Sequence, residues 1–197
     1  MSLLKPILVC FSMMFYIATS AQVPQDVPAT SFTQKDTSYW IYNFRQFRDA
    51  VYQNDIAKAK AFVDFPFVGE TNDIWYLLNA KVFEKMGDKI KPLTEAEFAR
   101  YFNSLFPKNF VKCLLKVKTD ELYRKGSYDT PFVEDSLASE SSMMYTTLDK
   151  SDNTLELNLS SMTASNEDGD TAEFSIIYHF QITRKGHIKL KSVGLAG

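Results

Sequence analysis

The chain has 197 residues with a formal net charge of −2, and charged residues make up 23 % of it. This length suits one domain with a substantial hydrophobic core. Because acidic and basic residues are nearly balanced, the chain lacks the strongly basic character typical of nucleic-acid binding, and we expect no nucleic-acid partner.

The N-terminal segment 1–21 has the order of a secretory signal peptide. Lys5 is its only charged residue, an apolar run covers 6–17, and the small residues of ATSA end it. The apolar run is shorter than the roughly 20 residues that span a bilayer, which argues against a membrane anchor. Cys10 is a poor lipoprotein cysteine, because the three residues before it are Ile, Leu and Val. We therefore expect cleavage near Ala21.

Cleavage at that point predicts an exported protein, periplasmic or secreted, with no further membrane span. Residues 22–36 are polar and contain two prolines, which is typical of a flexible linker. Residues 37–197 then form a single domain. Its one cysteine, Cys113, excludes an internal disulfide, and the apolar sequence FVKCLLKV around it indicates a buried, unreactive thiol.

The helical part of the domain begins at Trp40. Apolar residues recur there at helical spacing, namely at Trp40, Phe44, Phe47 and Val51. Asp55 is placed to cap a second helix, which runs into the segment FVDFPF at 62–67. Because the residue before a proline is pushed out of helical geometry, we expect Pro66 to end this helix.

Two further helical stretches are predicted after Pro66. Residues 74–88 favour a helix, although so dense an apolar run also suits a strand. The apolar face of that helix consists of Ile74, Leu78, Val82 and Met86. Thr94 and Glu97 then have the spacing of a capping box at the start of LTEAEFARYFNSLF, whose aromatic face is continuous. Pro107 ends that helix, and a broken helical stretch leads to Gly126.

The last third of the domain changes to the period of strands. Residues 155–159 and 174–182 alternate apolar and polar side chains, as half-buried strands do. RKGH at 184–187 is the turn of a final hairpin, with Gly186 at the position of positive φ. Residues 141–148 supply a partner for the first of these strands. Helices followed by an antiparallel meander predict the α+β class, with the helices packed on one face of the sheet.

Three of these features together resemble the nuclear-transport-factor-2-like superfamily, which has the cystatin-like fold. They are the helix that leads to FVDFPF, the helix LTEAEFARYFNSLF and the hairpin AEFSIIYHFQITRKGHIKLKSV. The resemblance covers residues 37–193, with 70–92 as an insertion. It implies a secreted bacterial member whose N-terminal helices fill the concave face of a curved antiparallel sheet. The superfamily includes ketosteroid-isomerase-like enzymes, dehydratases and non-catalytic pockets, so the fold alone implies no one function.

The sequence offers few groups for a metal site or for acid–base chemistry. His179 lies on the polar side of its strand and His187 beside the hairpin turn, so we expect both at the surface. Two separated histidines and one buried cysteine do not make a zinc site. The acidic run at 166–170 fails the spacing of an EF-hand loop, and 134–141 is expected to be an exposed acidic connector. No hydrolase elbow, P-loop or dinucleotide loop is present, so we predict no cofactor, no metal and no catalytic residue.

Aromatic residues are enriched, at 14 % of the chain. Most have the spacing of core residues, but a cone lined by tyrosine and tryptophan can also leave an apolar cavity with a polar tip. Trp75, Tyr101 and Tyr178 are the candidate ligand-binding residues.

Three functions follow as hypotheses. The preferred one is a non-catalytic exported domain that binds a small apolar ligand in the cone. An alternative is an envelope protein-interaction module that forms a homodimer through the outer sheet face at Ser175, Ile177 and His179, where Ile177 interrupts the polar alternation. A third is an isomerase- or dehydratase-type enzyme, which needs Asp64 or Glu70 buried beside a tyrosine.

Overall fold

Three stretches of the chain carry the described structure. The computed structural model describes residues 40–135, 140–163 and 172–197. The predicted signal peptide at 1–21, the linker at 22–36 and the acidic run at 166–170 lie outside the described residues.

Short helices occupy the first of these stretches. They are α1 (Trp40–Tyr52), α2 (Ile56–Ala59), α3 (Asp73–Leu78), α4 (Ala80–Phe83), α5 (Glu95–Arg100), α6 (Phe102–Leu105), α7 (Lys108–Leu114) and α8 (Thr119–Lys125). Helix α2 continues as a 3-10 turn over Lys60–Phe62. Within the described residues, the helices are too short or too polar for a bilayer span.

The chain after α8 forms a curved, unclosed antiparallel sheet, with six strands in the described residues. The strands are β1 (Ser127–Asp129), β2 (Val133–Asp135), β3 (Glu140–Asp149), β4 (Thr154–Thr163), β5 (Ala172–Ile182) and β6 (Ile188–Ala196). Their order across the sheet is β1-β3-β4-β5-β6, and β2 also pairs with β3. The predicted α+β class, with the helices preceding the sheet and packed on its concave face, is confirmed.

Helix α1 packs its aromatic side against both the other helices and the sheet. Its buried residues are Trp40, Phe44, Phe47, Ala50 and Val51. The ring of Phe47 meets the ring of Phe106 at 5.6 Å and that of Phe180 on β5 at 5.1 Å, both edge-on. Contacts of this geometry add about 1 kcal/mol each to the free energy of burial. The predicted helical face of this segment is therefore confirmed.

Helix α2 ends earlier than the proline rule predicts. Asp55 caps its N-terminus as expected, but the helical turns stop at Phe62 instead of continuing to Pro66. Val63 is already extended, with φ −131° and ψ 138°, and it forms a bridge with Leu190 of β6. Pairing with the sheet thus ends the helix before the proline is reached.

The segment 70–92 is helical only in part. The predicted continuous helix is divided into α3 and α4 at Asn79, whose backbone is extended at φ −163° and ψ 92°. The side chain of Asn79 accepts a hydrogen bond from the Val82 N–H at 3.2 Å and donates one to the Tyr101 hydroxyl at 3.0 Å. A polar side chain that caps the second helix and reaches a tyrosine between α5 and α6 favours the break over a straight helix.

The predicted helix boundaries around residues 94 and 126 are confirmed. Thr94 Oγ1 accepts from the Glu97 N–H at 3.2 Å, and the Glu97 carboxylate accepts from the Thr94 N–H at 3.0 Å, which completes the capping box. Gly126 has φ 82° and ends α8. Its carbonyl accepts from the Leu148 N–H at 2.7 Å, which joins the last helix to β3.

The strands alternate between a buried inner face and a more accessible outer face. On β5 the inner residues Ile176, Tyr178 and Phe180 are buried. Ile177 and His179 point to the other side of the sheet and are half-buried. The turn between β5 and β6 has Gly186 at φ 76°, as the RKGH motif predicts.

The predicted acidic connector at 134–141 contributes to the sheet at both of its ends. Glu134 pairs with Ser141 and Asp135 with Glu140 in the β2–β3 ladder. The prediction of a simple loop was wrong for these residues, because the short strand β2 pairs with the start of β3. Residues 136–139 lie outside the described part of the chain.

Tyr178 places a polar group in the hydrophobic core. Its side chain is fully buried, its ring lies 4.5 Å from that of Phe110, and its hydroxyl donates to the Leu105 carbonyl at 2.6 Å. Burial raises the pKa of this hydroxyl far above its ordinary value, so it remains a donor at any pH at which the protein is studied. The bond links β5 to the end of α6.

We predict that Tyr178→Phe lowers the free energy of unfolding by about 1–2 kcal/mol, because the Leu105 carbonyl is left buried without its donor. Urea denaturation followed by circular dichroism measures this loss. Tyr52→Phe is the control, since Tyr52 is 61 % exposed, and it should shift stability by less than about 0.5 kcal/mol. Equal stability of the two variants would contradict the proposed role of the buried hydrogen bond.

Candidate functional site

Two of the three candidate ligand-binding residues lie together, and both use their polar atoms within the fold. Trp75 is 1 % exposed, and its indole N–H donates to the Lys91 carbonyl at 2.7 Å. The half-buried Tyr101 meets the Trp75 ring edge-on at 6.2 Å. The Tyr101 hydroxyl accepts from Asn79, as described above.

The third candidate residue, Tyr178, has a different set of neighbours. It packs on Phe110 and stacks on Phe106 at a centroid distance of 6.0 Å. The structure therefore brings Trp75 and Tyr101 together and places Tyr178 against different rings of the same core. Ligand binding by these three residues stays a prediction.

Exposed aromatic side chains line a different place, which sequence reasoning missed. A surface depression of about 410 Å³, here called the aromatic groove, lies between α3, α4 and the ends of β5 and β6. It is lined by Asp73, Tyr76, Phe83, Phe174, Leu195, Ala196 and Gly197. Tyr76 is 53 % exposed and Phe174 is 38 % exposed. The rings of Tyr76 and Phe83 meet edge-on at 5.5 Å.

The position of Tyr76 follows from how α3 is held. Helix α3 buries Ile74, Trp75 and Leu78, which leaves Tyr76 on the outer side of the helix. The side chain of Asn72 clamps this helix to the following loop, since it donates to the Lys89 carbonyl at 3.1 Å and accepts from the Lys91 N–H at 3.0 Å. A firmly held helix thus presents an exposed tyrosine.

Phe174 lies on the predicted core side of β5 but at the beginning of the strand. Its inner-side neighbours Ile176 and Tyr178 are buried, whereas Phe174 lines the groove and remains partly exposed. The alternation therefore predicted correctly which side of the sheet Phe174 lies on, but it was wrong to predict that Phe174 is buried. The sequence signal that could have indicated the groove is the dense apolar run at 74–88, because a surface helix buries only one of its sides.

A polar depression of about 260 Å³ lies near His179. It is lined by Glu70, Thr154, His179, Phe180, Gln181, Lys191 and Ser192. The Nδ1 of His179 is 3.5 Å from a carboxylate oxygen of Glu156, and both side chains are accessible to solvent. His187 is exposed beside the hairpin turn, with Nδ1 3.1 Å from the Asn43 amide oxygen. Both histidines reach the surface, as expected.

The two carboxylates on which an isomerase-type site would depend are not buried. Asp64 is 62 % exposed and pairs with Lys189 at 2.7 Å and with Lys191 at 3.8 Å. The hydrogen bond from Lys189 lowers the pKa of Asp64, which is the opposite of the raised pKa that a buried catalytic acid requires. Glu70 is also only partly covered, at the rim of the polar depression.

Cys113 is buried, as its apolar sequence predicts. It has no solvent exposure, and its thiol lies 3.7 Å from the Ser142 carbonyl. Burial raises the pKa of this thiol to about 11, so the reactive thiolate is scarce at neutral pH. In the described stretches, no group of three or more His, Cys, Asp and Glu side chains is arranged to hold a metal ion.

A third depression, of about 500 Å³, contains cations that already face acids. Its lining includes Arg45 and Lys118. Arg45 pairs with Asp120 at 3.2 Å, and Lys118 pairs with Glu121 at 3.2 Å. Arg48, the third cation of the lining, pairs with Asp49 at 3.4 Å. Each of these cations has an acidic partner, so the depression does not offer the unpaired positive charge that favours an anion.

Comparisons with known proteins give no guide to the function of this chain. No protein-family model, curated protein or solved structure matches the chain. The resemblance to the nuclear-transport-factor-2-like superfamily accordingly stays a prediction, made from the quoted segments.

Proposed function

We propose that this chain is an exported, non-catalytic domain that binds a small apolar molecule. The observation that carries the proposal is the aromatic groove, where Tyr76, Phe83 and Phe174 converge on one depression from three separate elements. Large apolar side chains are costly to leave in water, and grouped exposed aromatic residues are typical of binding sites. The volume of about 410 Å³ suits a ligand of one or two rings.

The packing of the interior favours a site on the surface over one inside the cone. The ring of Phe106 contacts those of Phe98, Phe102 and Phe110 at 6.4, 5.2 and 5.3 Å. Phe47 and Tyr178 complete this group from α1 and β5. Rings in mutual contact occupy the space that a buried ligand would need, which is why we assign the ligand to the aromatic groove.

The carboxylate and the tyrosine of the groove are open to solvent, since Asp73 is only half-buried and Tyr76 is 53 % exposed, which supports binding without catalysis. Among its described lining residues, Asp73 is the only carboxylate side chain, and no histidine, cysteine or lysine accompanies it. The isomerase or dehydratase alternative needs a buried carboxylate beside a tyrosine. Asp64 and Glu70, the two acids considered for that role, are solvent-accessible.

Export and membership of the nuclear-transport-factor-2-like superfamily form part of the same proposal. The charge and apolar pattern of residues 1–21 supports export. Helices that precede and pack against a curved antiparallel sheet support the superfamily assignment. In that setting the protein meets ligands of the periplasm or the extracellular space.

A second candidate function is homodimerisation through the outer face of the sheet. Tyr145, Asn158 and Ile177 are cross-strand neighbours there, and Tyr145 is 40 % exposed. The amide oxygen of Asn158 is buried and has no hydrogen-bond partner among the described residues. A buried acceptor without a donor is unfavourable by about 1–3 kcal/mol, but it is closed to a second copy, so the candidate interface depends on the exposed ring of Tyr145 and on Ile177.

For the groove, we predict that Tyr76→Ala and Phe174→Ala each weaken the binding of a neutral aromatic dye, N-phenyl-1-naphthylamine, about fivefold, because each removes one ring contact worth about 1 kcal/mol. Dye fluorescence during titration measures the dissociation constant. Tyr52→Ala removes an exposed ring from α1 and should bind as the wild type does. The proposal fails if the wild type shows no saturable binding or if the groove variants match the control.

For the sheet face, we predict that Ile177→Lys shifts the protein towards monomer, since a charge buried at the interface lacks a partner. Light scattering coupled to gel filtration measures the molar mass over a range of concentrations. Leu115→Lys alters a residue that is 42 % exposed on the helical side and should leave the mass unchanged. A wild type that is monomeric at every concentration would exclude this second candidate.

For export, we predict a mature N-terminus at Gln22 when the full chain is produced in a Gram-negative host and recovered from the periplasm. N-terminal sequencing or intact-mass measurement identifies the cleavage site. Replacing Ala21 with a bulky residue such as Tyr should retain the precursor. Full-length protein confined to the cytoplasm in both cases would contradict export.

A further inference from the structure

We propose that the ligand of the aromatic groove is an organic cation, an ammonium group that carries an aromatic or other apolar substituent. This inference rests on the proposed function, since it names the chemical class that the same groove would bind. It follows from three observations: an unpaired carboxylate, the absence of cationic side chains in the lining, and a site elsewhere in the fold with the same composition.

The carboxylate belongs to Asp73, the first residue of α3. Its side chain is half-buried and lines the groove. Its backbone N–H donates to Thr71 Oγ1 at 3.3 Å. Within the described stretches, Asp73 forms no ion pair. A half-buried carboxylate without a counter-charge is a favourable place for a cation.

The rest of the lining adds no positive charge. The other described lining residues are aromatic, aliphatic or glycine. Two other depressions differ in this respect, because one contains Lys191 and the other contains paired Arg45 and Lys118. An anionic amphiphile such as a fatty acid would bring its carboxylate next to Asp73 without a compensating cation. The charge of the groove therefore selects against anionic ligands and in favour of cationic ones.

The aromatic rings add attraction for the same charge. A cation near the face of a phenyl or phenol ring is stabilised by the ring quadrupole. Tyr76 and Phe83 are nearly perpendicular, at 86°, so they present ring surfaces in two directions. Phe174 borders the same space from β5. A ligand in this groove meets ring faces and a carboxylate together.

The fold already holds one ammonium group in a site of this composition. The Nζ of Lys91 lies 3.4 Å from the centroid of the Trp75 ring and 2.6 Å from a carboxylate oxygen of Glu97. One ring and one acid thus satisfy an ammonium group at the surface of this domain. The aromatic groove contains the same two kinds of partner without an internal cation, and a ligand would supply it.

Benzyltrimethylammonium and its uncharged isostere neopentylbenzene test the inference, because the two molecules have nearly the same shape and differ in charge. Each is titrated against the protein loaded with N-phenyl-1-naphthylamine, and displacement of the dye gives its affinity. We expect the cation to bind about tenfold more tightly than the isostere. Added salt should weaken the binding of the cation and leave the binding of the isostere unchanged.

The matched variants are Asp73→Asn and Asp88→Asn, which remove one carboxylate at the groove and one exposed carboxylate away from its lining. Asp73→Asn should lower the affinity for the cation about five- to tenfold and change the affinity for the isostere by no more than about twofold. Asp88→Asn should change neither affinity. Asp73→Glu should restore part of the preference for the cation. Circular dichroism verifies that each variant is folded.

The outcomes separate this inference from the proposed function. If the dye and the isostere bind but the cation binds no better, or if Asp73→Asn leaves the preference unchanged, the cation assignment is wrong and apolar binding stands. If none of the three molecules binds, both proposals fail. Vesicles of phosphatidylcholine present the same trimethylammonium group on a lipid, and co-sedimentation with them without binding of the soluble cation would overturn the assignment to a small molecule.

Discussion

The ring of Phe106 is the contact on which the arrangement of helices and sheet depends. It touches Phe47 of α1, Phe98 of α5, Phe102 of α6, Phe110 of α7 and Tyr178 of β5. Helices as short as these are unstable alone in water, so their stability comes from packing. One ring shared by four helices and the sheet makes that packing cooperative. The hydrogen bond from Tyr178 to the Leu105 carbonyl also holds the end of α6 against β5.

The ring contacts around Phe106 bear on where a binding site can lie. The aromatic groove forms outside the Phe106 group, where the break at Asn79 separates α3 from α4 and lets the rings of Tyr76 and Phe83 meet. Asn79 also contacts Tyr101 inside the domain, so one polar residue both anchors the helices and shapes the surface beside them. The chemistry of the proposed ligand then depends on Asp73, which no internal cation neutralises among the described residues.

Features that depend on neighbours along the chain were predicted well. The capping box of Thr94 and Glu97, the helix end at Gly126, the positive φ of Gly186 and the alternation of β4 and β5 are all present. Features that depend on distant partners were not. The end of α2 at Phe62 follows from the bridge between Val63 and Leu190, and the strand character at Glu134 follows from its pairing with β3. No local pattern contains those partners.

The sequence by itself determined the α+β class, the order of the elements and the burial of most aromatic residues, because hydrophobic period and capping act over a few residues. Only the tertiary structure decided which aromatic side chains remain in contact with water. Trp75 and Tyr76 are adjacent in sequence and similar in character, yet one is 1 % exposed and the other 53 %. Which of them lies inside is set by the side of α3 that meets the core, and that side is chosen by the elements packed against it.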